Sequence, residues 1–264
     1  MKPIIKHGWK FPFKDIVYGL TGLAALILLW QLIGSIAIRG TGEPQFKDFL
    51  PLPAFKALFK LFGNQVFWSS VFASLRRVGI GIALAFVFGF SWGVLLASFQ
   101  RARKLTTLPM QFVRMVSPLS WMPIAILVMP SFEYAIYFLI LMAAVWPIMH
   151  NTMQGLLDVP PSWINMAKIQ GATKFQVLTR VLLPSALPYV LNGLRLALGI
   201  AWIILVPAEY LGINKGLGYL INDARDTMEY DRLMALVVAI GILGFLLDSI
   251  FRFLLRKFDW HLLS

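Results

Sequence analysis

The chain has 264 residues, 59% of them hydrophobic and 14% charged, whereas a soluble domain carries roughly 25% charged residues. A globule of this size cannot hide so much apolar surface, which excludes a soluble domain as well as a disordered or collagen-like chain. Cysteine is absent, so disulfides, thiolate metal sites and a cysteine nucleophile are excluded too. His7, His150 and His261 stand apart and offer no zinc or di-iron centre. The net charge of +12 serves to orient loops in a membrane chain rather than to bind nucleic acid. The composition is that of an integral membrane protein.

A helix needs about 20 mostly apolar residues to cross a bilayer. Charge-poor windows predict six such helices, at Ile16–Ile38, Val78–Gln100, Met115–Phe132, Tyr134–Leu157, Pro184–Pro207 and Leu233–Phe251. The fold class expected is therefore all-α, a multi-pass transmembrane helical bundle. Before the first span, Lys2–Lys14 and the later Ser35-Ile36-Ala37 resemble parts of a secretory signal. The apolar stretch outruns the roughly 7–15 residues of such a signal, so a retained first span is expected.

Next, Phe46–Phe62 sets Lys56 and Lys60 among apolar residues, as in an amphipathic helix at the outer interface. A cap packed on the bundle and a membrane-sensing element are both open for it. The second span repeats Gly81, Ala85, Gly89, Gly93 and Ala97 every four residues, and the fifth repeats Gly193, Ala197 and Ala201. Small residues at this spacing let helix backbones approach closely, and smooth faces can also slide. Pro130, in Met-Pro-Ser-Phe-Glu-Tyr, predicts a hairpin turn between spans three and four.

With an even number of spans both termini share one side. Lys2, Lys6, Lys10 and Lys14, then Arg101, Arg103 and Lys104, then Lys168, Lys174 and Arg180, then Arg252, Arg256 and Lys257 outnumber the basic residues of the other segments. That excess predicts both termini inside. No internal repeat appears, unlike inverted-repeat transporters.

The chain lacks a GxxxxGK[ST] phosphate loop, an HExxH motif and a pair of intramembrane aspartates. Its acids at membrane depth, Glu209 and Asp248, lie far apart near helix ends. No covalent chemistry is expected, and no cofactor in this chain.

The segment 158–183 between spans four and five is more specific. Pro160 and Pro161 suit a first helical turn, Gly171 suits a left-handed C-cap, and Thr173 suits an N-cap ahead of Phe175, Val177, Leu178, Val181 and Leu182. A helix, a glycine turn and a second short helix are expected. They form either a surface helix on the inner leaflet or a docking element for a separate protein.

This segment resembles the cytoplasmic loop of permease subunits of ABC importers: Glu-Ala-Ala, three residues, Gly, nine residues, Ile, one residue, Leu-Pro. Gly171, Val181 and Leu183-Pro184 fall in register and Ala167 matches the last Ala, while Asn165 and Met166 replace the Glu and first Ala. The similarity covers roughly residues 66–260. Ser-Leu-Arg-Arg-Val-Gly at Ser74, Val-Ser-Pro-Leu-Ser-Trp-Met-Pro at Val116, Ala-Val-Trp-Pro-Ile at Ala144 and Pro-Ala-Glu-Tyr-Leu-Gly around Glu209 resemble the branch that handles nitrate, bicarbonate, taurine and other sulfonates.

The resemblance implies a type I ABC importer permease fold in a bacterial plasma (inner) membrane. It implies an N-terminal part over 1–65 and a core permease domain over 66–264. A second permease copy, an identical one sufficing, would complete the pathway. Two ATPase subunits carrying ATP and magnesium would dock below, and an extracytoplasmic solute-binding protein would deliver a small anion. It also implies that Asn165, Ala167, Gly171, Ala172, Lys174, Phe175 and Pro184 transmit ATPase movement.

Among candidate pathway residues, intramembrane arginines are costly enough to suggest function, and their planar forks suit oxyanions. Arg76, Arg77, Arg114 and Arg195 qualify. Snorkelling to headgroups or pairing with Glu209 or Asp248 is the more ordinary explanation for them. Arg195 is the candidate placed deepest, and Arg114, Ser117, Ser120, Trp121, Trp146 and Glu209 join it. Prolines 118, 123 and 147 would kink their helices, and aromatic residues also settle at membrane interfaces without any substrate. A stand-alone ion-coupled transporter or channel is the alternative.

Overall fold

A computed structural model describes residues 13–41 and 44–259, and all regular structure among them is helical. His7, His261 and the basic residues Lys2, Lys6 and Lys10 lie outside the described residues. In chain order the helices are α1 (Phe13–Thr41), α2 (Pro51–Phe62), α3 (Gln65–Ser98), α4 (Gln100–Met115), α5 (Met122–Val128) and α6 (Phe132–Leu157). They continue as α7 (Pro161–Ile169), α8 (Lys174–Val177), α9 (Leu183–Tyr210), α10 (Leu217–Asp226) and α11 (Tyr230–Asp259).

The chain forms two compact units, one of residues 1–63 with 224–235 and one of 64–223 with 236–264. In the first, the Trp30 indole of α1 donates to the Phe49 carbonyl at 2.9 Å. Phe49 in turn stacks on Tyr230, with ring centroids 4.6 Å apart. The amphipathic expectation for 46–62 resolves into a 3₁₀ turn, Pro44–Phe49, followed by α2. Ala54, Ala57, Leu58 and Leu61 of α2 are buried, while Lys56 and Lys60 are exposed.

The second unit is built around α6, which packs on α3 along one side and α9 along the other. Its Ile136, Leu139, Ile140, Ala144 and Ile148 are buried completely. The small-residue stripes explain this closeness. A Cβ added at Gly89 would stand 2.8 Å from the Val145 carbonyl oxygen, at Gly93 2.7 Å from that of Met149, and at Gly193 2.9 Å from that of Pro147. No side chain fits at these crossings, so backbones touch and dispersion contacts hold the bundle where apolar burial offers no driving force.

Among the described residues five helices are long and apolar enough to cross a membrane: Val17–Gly40, Gln65–Ser98, Phe132–Leu157, Lys174–Tyr210 and Tyr230–Leu255. The third predicted span, Met115–Phe132, is not one helix. It is the second arm of a pair, Gln100–Met115 and Pro118–Val128, bent by 86°, which makes up a sixth crossing if the pair is counted as one. Pro118 disfavours a helical conformation at Ser117, and both Val116 and Ser117 are extended, with ψ of 126° and 129°. The turn at Pro130 stands where it is expected, and α6 starts two residues later. The second span begins earlier than its apolar window, because Asn64 caps it by accepting from the Val66 amide at 2.8 Å. Arg76 and Arg77 therefore lie inside α3.

Candidate functional site

Three features of the second unit bear on function. At the end of the bundle formed by the start of α6 and the close of α9, Glu209 is completely buried. Arg77 Nη1 donates to it at 2.6 Å, Ser74 Oγ at 2.8 Å and the Gly218 amide at 3.1 Å. The same Arg77 nitrogen donates to the Lys215 carbonyl at 2.7 Å, and Ser74 Oγ accepts from the Leu217 amide at 2.9 Å. Gly216 has φ +144°, and a Cβ there would meet the Glu209 carboxylate. A carboxylate with several charge-assisted donors satisfies the condition under which a buried charge is tolerated. Beside it, Arg76 pairs with Glu133 of α6.

Glu209 is thus a structural tie between α3, α9 and the start of α10. The Arg195 Nε donates to Asp248 of α11 at 2.9 Å, and Asp248 also holds Arg252 at 2.6 Å. The ion-pair alternative for the arginines, open from the sequence, is the one the structure adopts for both acids.

The second feature is a pair of cavities along α6. One of about 430 Å³ is lined by Arg114, Pro118, Trp121, Trp146, His150 and Asn151 among others. Its neighbour of about 290 Å³ shares Arg114, Trp146 and His150 and adds Arg103, Thr106 and Gln111. The structure therefore brings Arg114, Trp121 and Trp146 together. Ser117 and Ser120 occupy the exposed turn between α4 and α5 without lining either cavity. Arg103, His150 and Asn151 were not candidates. The signals were faint: His150 follows Trp146 by four residues, placing both on one face of α6.

The third feature is the hairpin 158–183. Pro161 opens α7, and none of that helix's residues is buried. At its end Gly171 has φ +80°, the Gly171 amide donates to the Lys168 carbonyl and the Ala172 amide to that of Ala167, both at 3.0 Å. These bonds form a Schellman motif. Thr173 and Gln176 then make a reciprocal capping box, with the Thr173 amide donating to Gln176 Oε1 at 2.8 Å. Asn165, Gly171, Lys174, Phe175 and Pro184 are exposed, and Ala167 and Ala172 are half-buried.

Trp163, Met166, Ile169 and Phe175 are each more than half exposed, an apolar surface that the residue pattern alone did not reveal. Between α8 and α9 the chain makes one π-helical turn, Leu178–Leu182. Pro184 has no N–H to return to the preceding turn, and the helix widens ahead of it. The Ser185 hydroxyl donates to the Val181 carbonyl there at 2.6 Å.

A long-helix bundle with an exposed helix–glycine–helix hairpin defines a class, and the comparisons agree. Residues 78–260 match the family model of the binding-protein-dependent transport system inner membrane component, and the chain belongs to that family. Over 247 residues it is 34% identical to the bicarbonate transport system permease protein CmpB of Synechocystis sp., covering 91% of this chain and 88% of that protein. It is 30% identical over 248 residues to the nitrate import permease protein NrtB of the same organism, covering 90% and 88%. In fold it resembles a chain of the MetNI methionine ABC transporter in an inward facing conformation. The TM-score is 0.62 at 20% identity, covering 72% of this chain and 94% of that one.

The chain is accordingly a permease subunit of an ABC importer, a transport component whose family implies an ATPase and a binding protein as partners. Membership sets aside the stand-alone transporter or channel.

Proposed function

We propose that this permease passes a small anion of the nitrate, bicarbonate or sulfonate kind, that two identical copies form the pathway, and that the α7–α8 hairpin is the ATPase handle. In this reading the hairpin faces the cell interior, with both termini on that side. Nucleotide binding and the magnesium it requires belong to the ATPase subunits.

One observation carries the reading: the hairpin is stiffened by a Schellman motif and a capping box, yet α7 buries nothing and presents Trp163, Met166 and Ile169 to the outside. A segment held rigid internally while its apolar face is unpacked has the form of a helix waiting for a groove. The relatives' names supply the anion class.

Open space surrounds a Cβ at Gly171, so only its positive φ resists substitution. A left-handed backbone costs about 1–2 kcal/mol for other residues. Gly171→Val should leave the protein inserted in the membrane while ATP-driven uptake falls at least ten-fold in proteoliposomes holding permease, ATPase and loaded binding protein. Uptake at the wild-type rate, or labelling of Lys174 from the outer side of intact cells, would overturn the docking role.

A further inference from the structure

Resting on the importer-permease reading above, we propose that Arg103, Arg114 and His150 form an oxyanion station inside the permease, holding a nitrate, bicarbonate or sulfonate group on its way along α6. Nothing in the sequence motifs assigned Arg103 or His150.

The first argument is the absence of an acid. Arg76, Arg77, Arg195 and Arg252 of the same unit each sit against a carboxylate. Arg103 and Arg114 have no such partner among the described residues, and neither cavity is lined by Asp or Glu. Arg103 Nη1 is buried and donates to nothing. A buried guanidinium nitrogen with no acceptor is costly, and a bound anion would remove that cost. Its planar fork matches two oxygens of a nitrate, bicarbonate or sulfonate.

The second argument is the pattern of α4. Positions 103, 107, 111 and 114 recur at helical spacing and place Arg103, Thr107, Gln111 and Arg114 on one face, all four lining the smaller cavity. The other face carries Leu105, Leu108, Phe112 and Met115, each about three-quarters exposed. A helix of the membrane-crossing pair that keeps a polar stripe against α6 and an apolar stripe outside is built for a polar occupant between the two helices.

The third argument is continuity. Arg103 and Arg114 are separated by about 16 Å of helix. Arg114, Trp146 and His150 belong to both cavities, so an anion leaving one guanidinium meets the next. The His150 imidazole adds a hydrogen-bonding group between them.

The test uses the complete transporter with its ATPase, without binding protein, and the methyl protons of methanesulfonate as the probe. Saturation-transfer NMR should detect binding to the wild-type complex, nitrate and bicarbonate should displace the probe, and methylammonium should not. The Arg103→Gln, Arg114→Gln double variant should lose the signal, and Lys at both positions should restore part of it. In proteoliposomes with binding protein, anion taken up per ATP hydrolysed should fall at least ten-fold in the double variant. No transfer to the wild-type complex, displacement by methylammonium equal to that by nitrate, or an unchanged uptake-to-ATP ratio would overturn the station. A wild-type complex that binds methanesulfonate yet shows no ATP-driven uptake would instead defeat the small-anion reading of the proposed function.

Discussion

The two ends of the α3–α6–α9 bundle are held in opposite ways. At one end Glu209, Arg77, Ser74 and the amides of Leu217 and Gly218 share one buried network, and Arg76 adds a pair to Glu133. At the other the chain leaves α6 into a hairpin whose order is local, made by its own caps, with no residue of α7 buried. Cross-linking by charge fixes three elements relative to one another, whereas capping fixes a hairpin only relative to itself. The contrast teaches where relative motion is cheap. A force applied at the hairpin meets little tertiary packing there, and it reaches the pinned end through helices whose backbones touch at glycines.

The largest way to break this contrast is Glu209→Ala. It takes from Arg77, whose side chain is only 5% exposed, its nearest carboxylate, leaving the Lys215 carbonyl and Glu133 at 3.6 Å, and removing one partner of a buried pair costs about 3–5 kcal/mol. The melting temperature of the detergent-solubilised protein should fall sharply, or folded protein should be lost from the membrane. Little change would mean that the network is not what pins this end.

A smaller effect is expected from Thr173→Ala, which removes the capping box at a cost of about 1 kcal/mol. Because the hairpin is packed on little else, global melting should barely move while amide exchange over 172–178 accelerates several-fold. A shift in global melting matching the Glu209 variant would erase the distinction between the ends. The smallest effect belongs to Arg76→Gln. Arg76 is 61% exposed, and solvent screens such pairs, so melting should be indistinguishable from wild type. A clear fall would extend the pinned network to the surface.

Legibility followed the range of the interactions. Gly171, Thr173 and the prolines at 160 and 161 act within a few residues, and the hairpin they build was readable from spacing. The stripes at Gly81–Gly93 and Gly193–Ala201 were readable because helical periodicity is local, although the partner helix α6 was not. The pairs Arg77–Glu209 and Arg195–Asp248 join residues 132 and 53 positions apart, and no pattern in one sequence selects them over a pathway role. The third span misled for a different reason. Apolar windows favour Met115–Phe132, yet the bend at Ser117-Pro118 and the start of α4 at Gln100 obey backbone sterics. The three cationic residues near the start of α4 weigh against a crossing by composition alone, and one of them, Arg103, has a buried Nη1 without a hydrogen-bond partner.

The widened turn at Leu178–Leu182 makes chain length, more than residue identity, the property to be guarded there. Deleting a single position would let α8 and α9 close into one regular cylinder and swing Phe175 by about 100° around its axis, pointing the handle toward a different compass bearing. Substitutions in this stretch should be forgiven far more readily than any change in its count, so natural variation between Ala172 and Pro184 is expected to be rich in exchanges and poor in gaps.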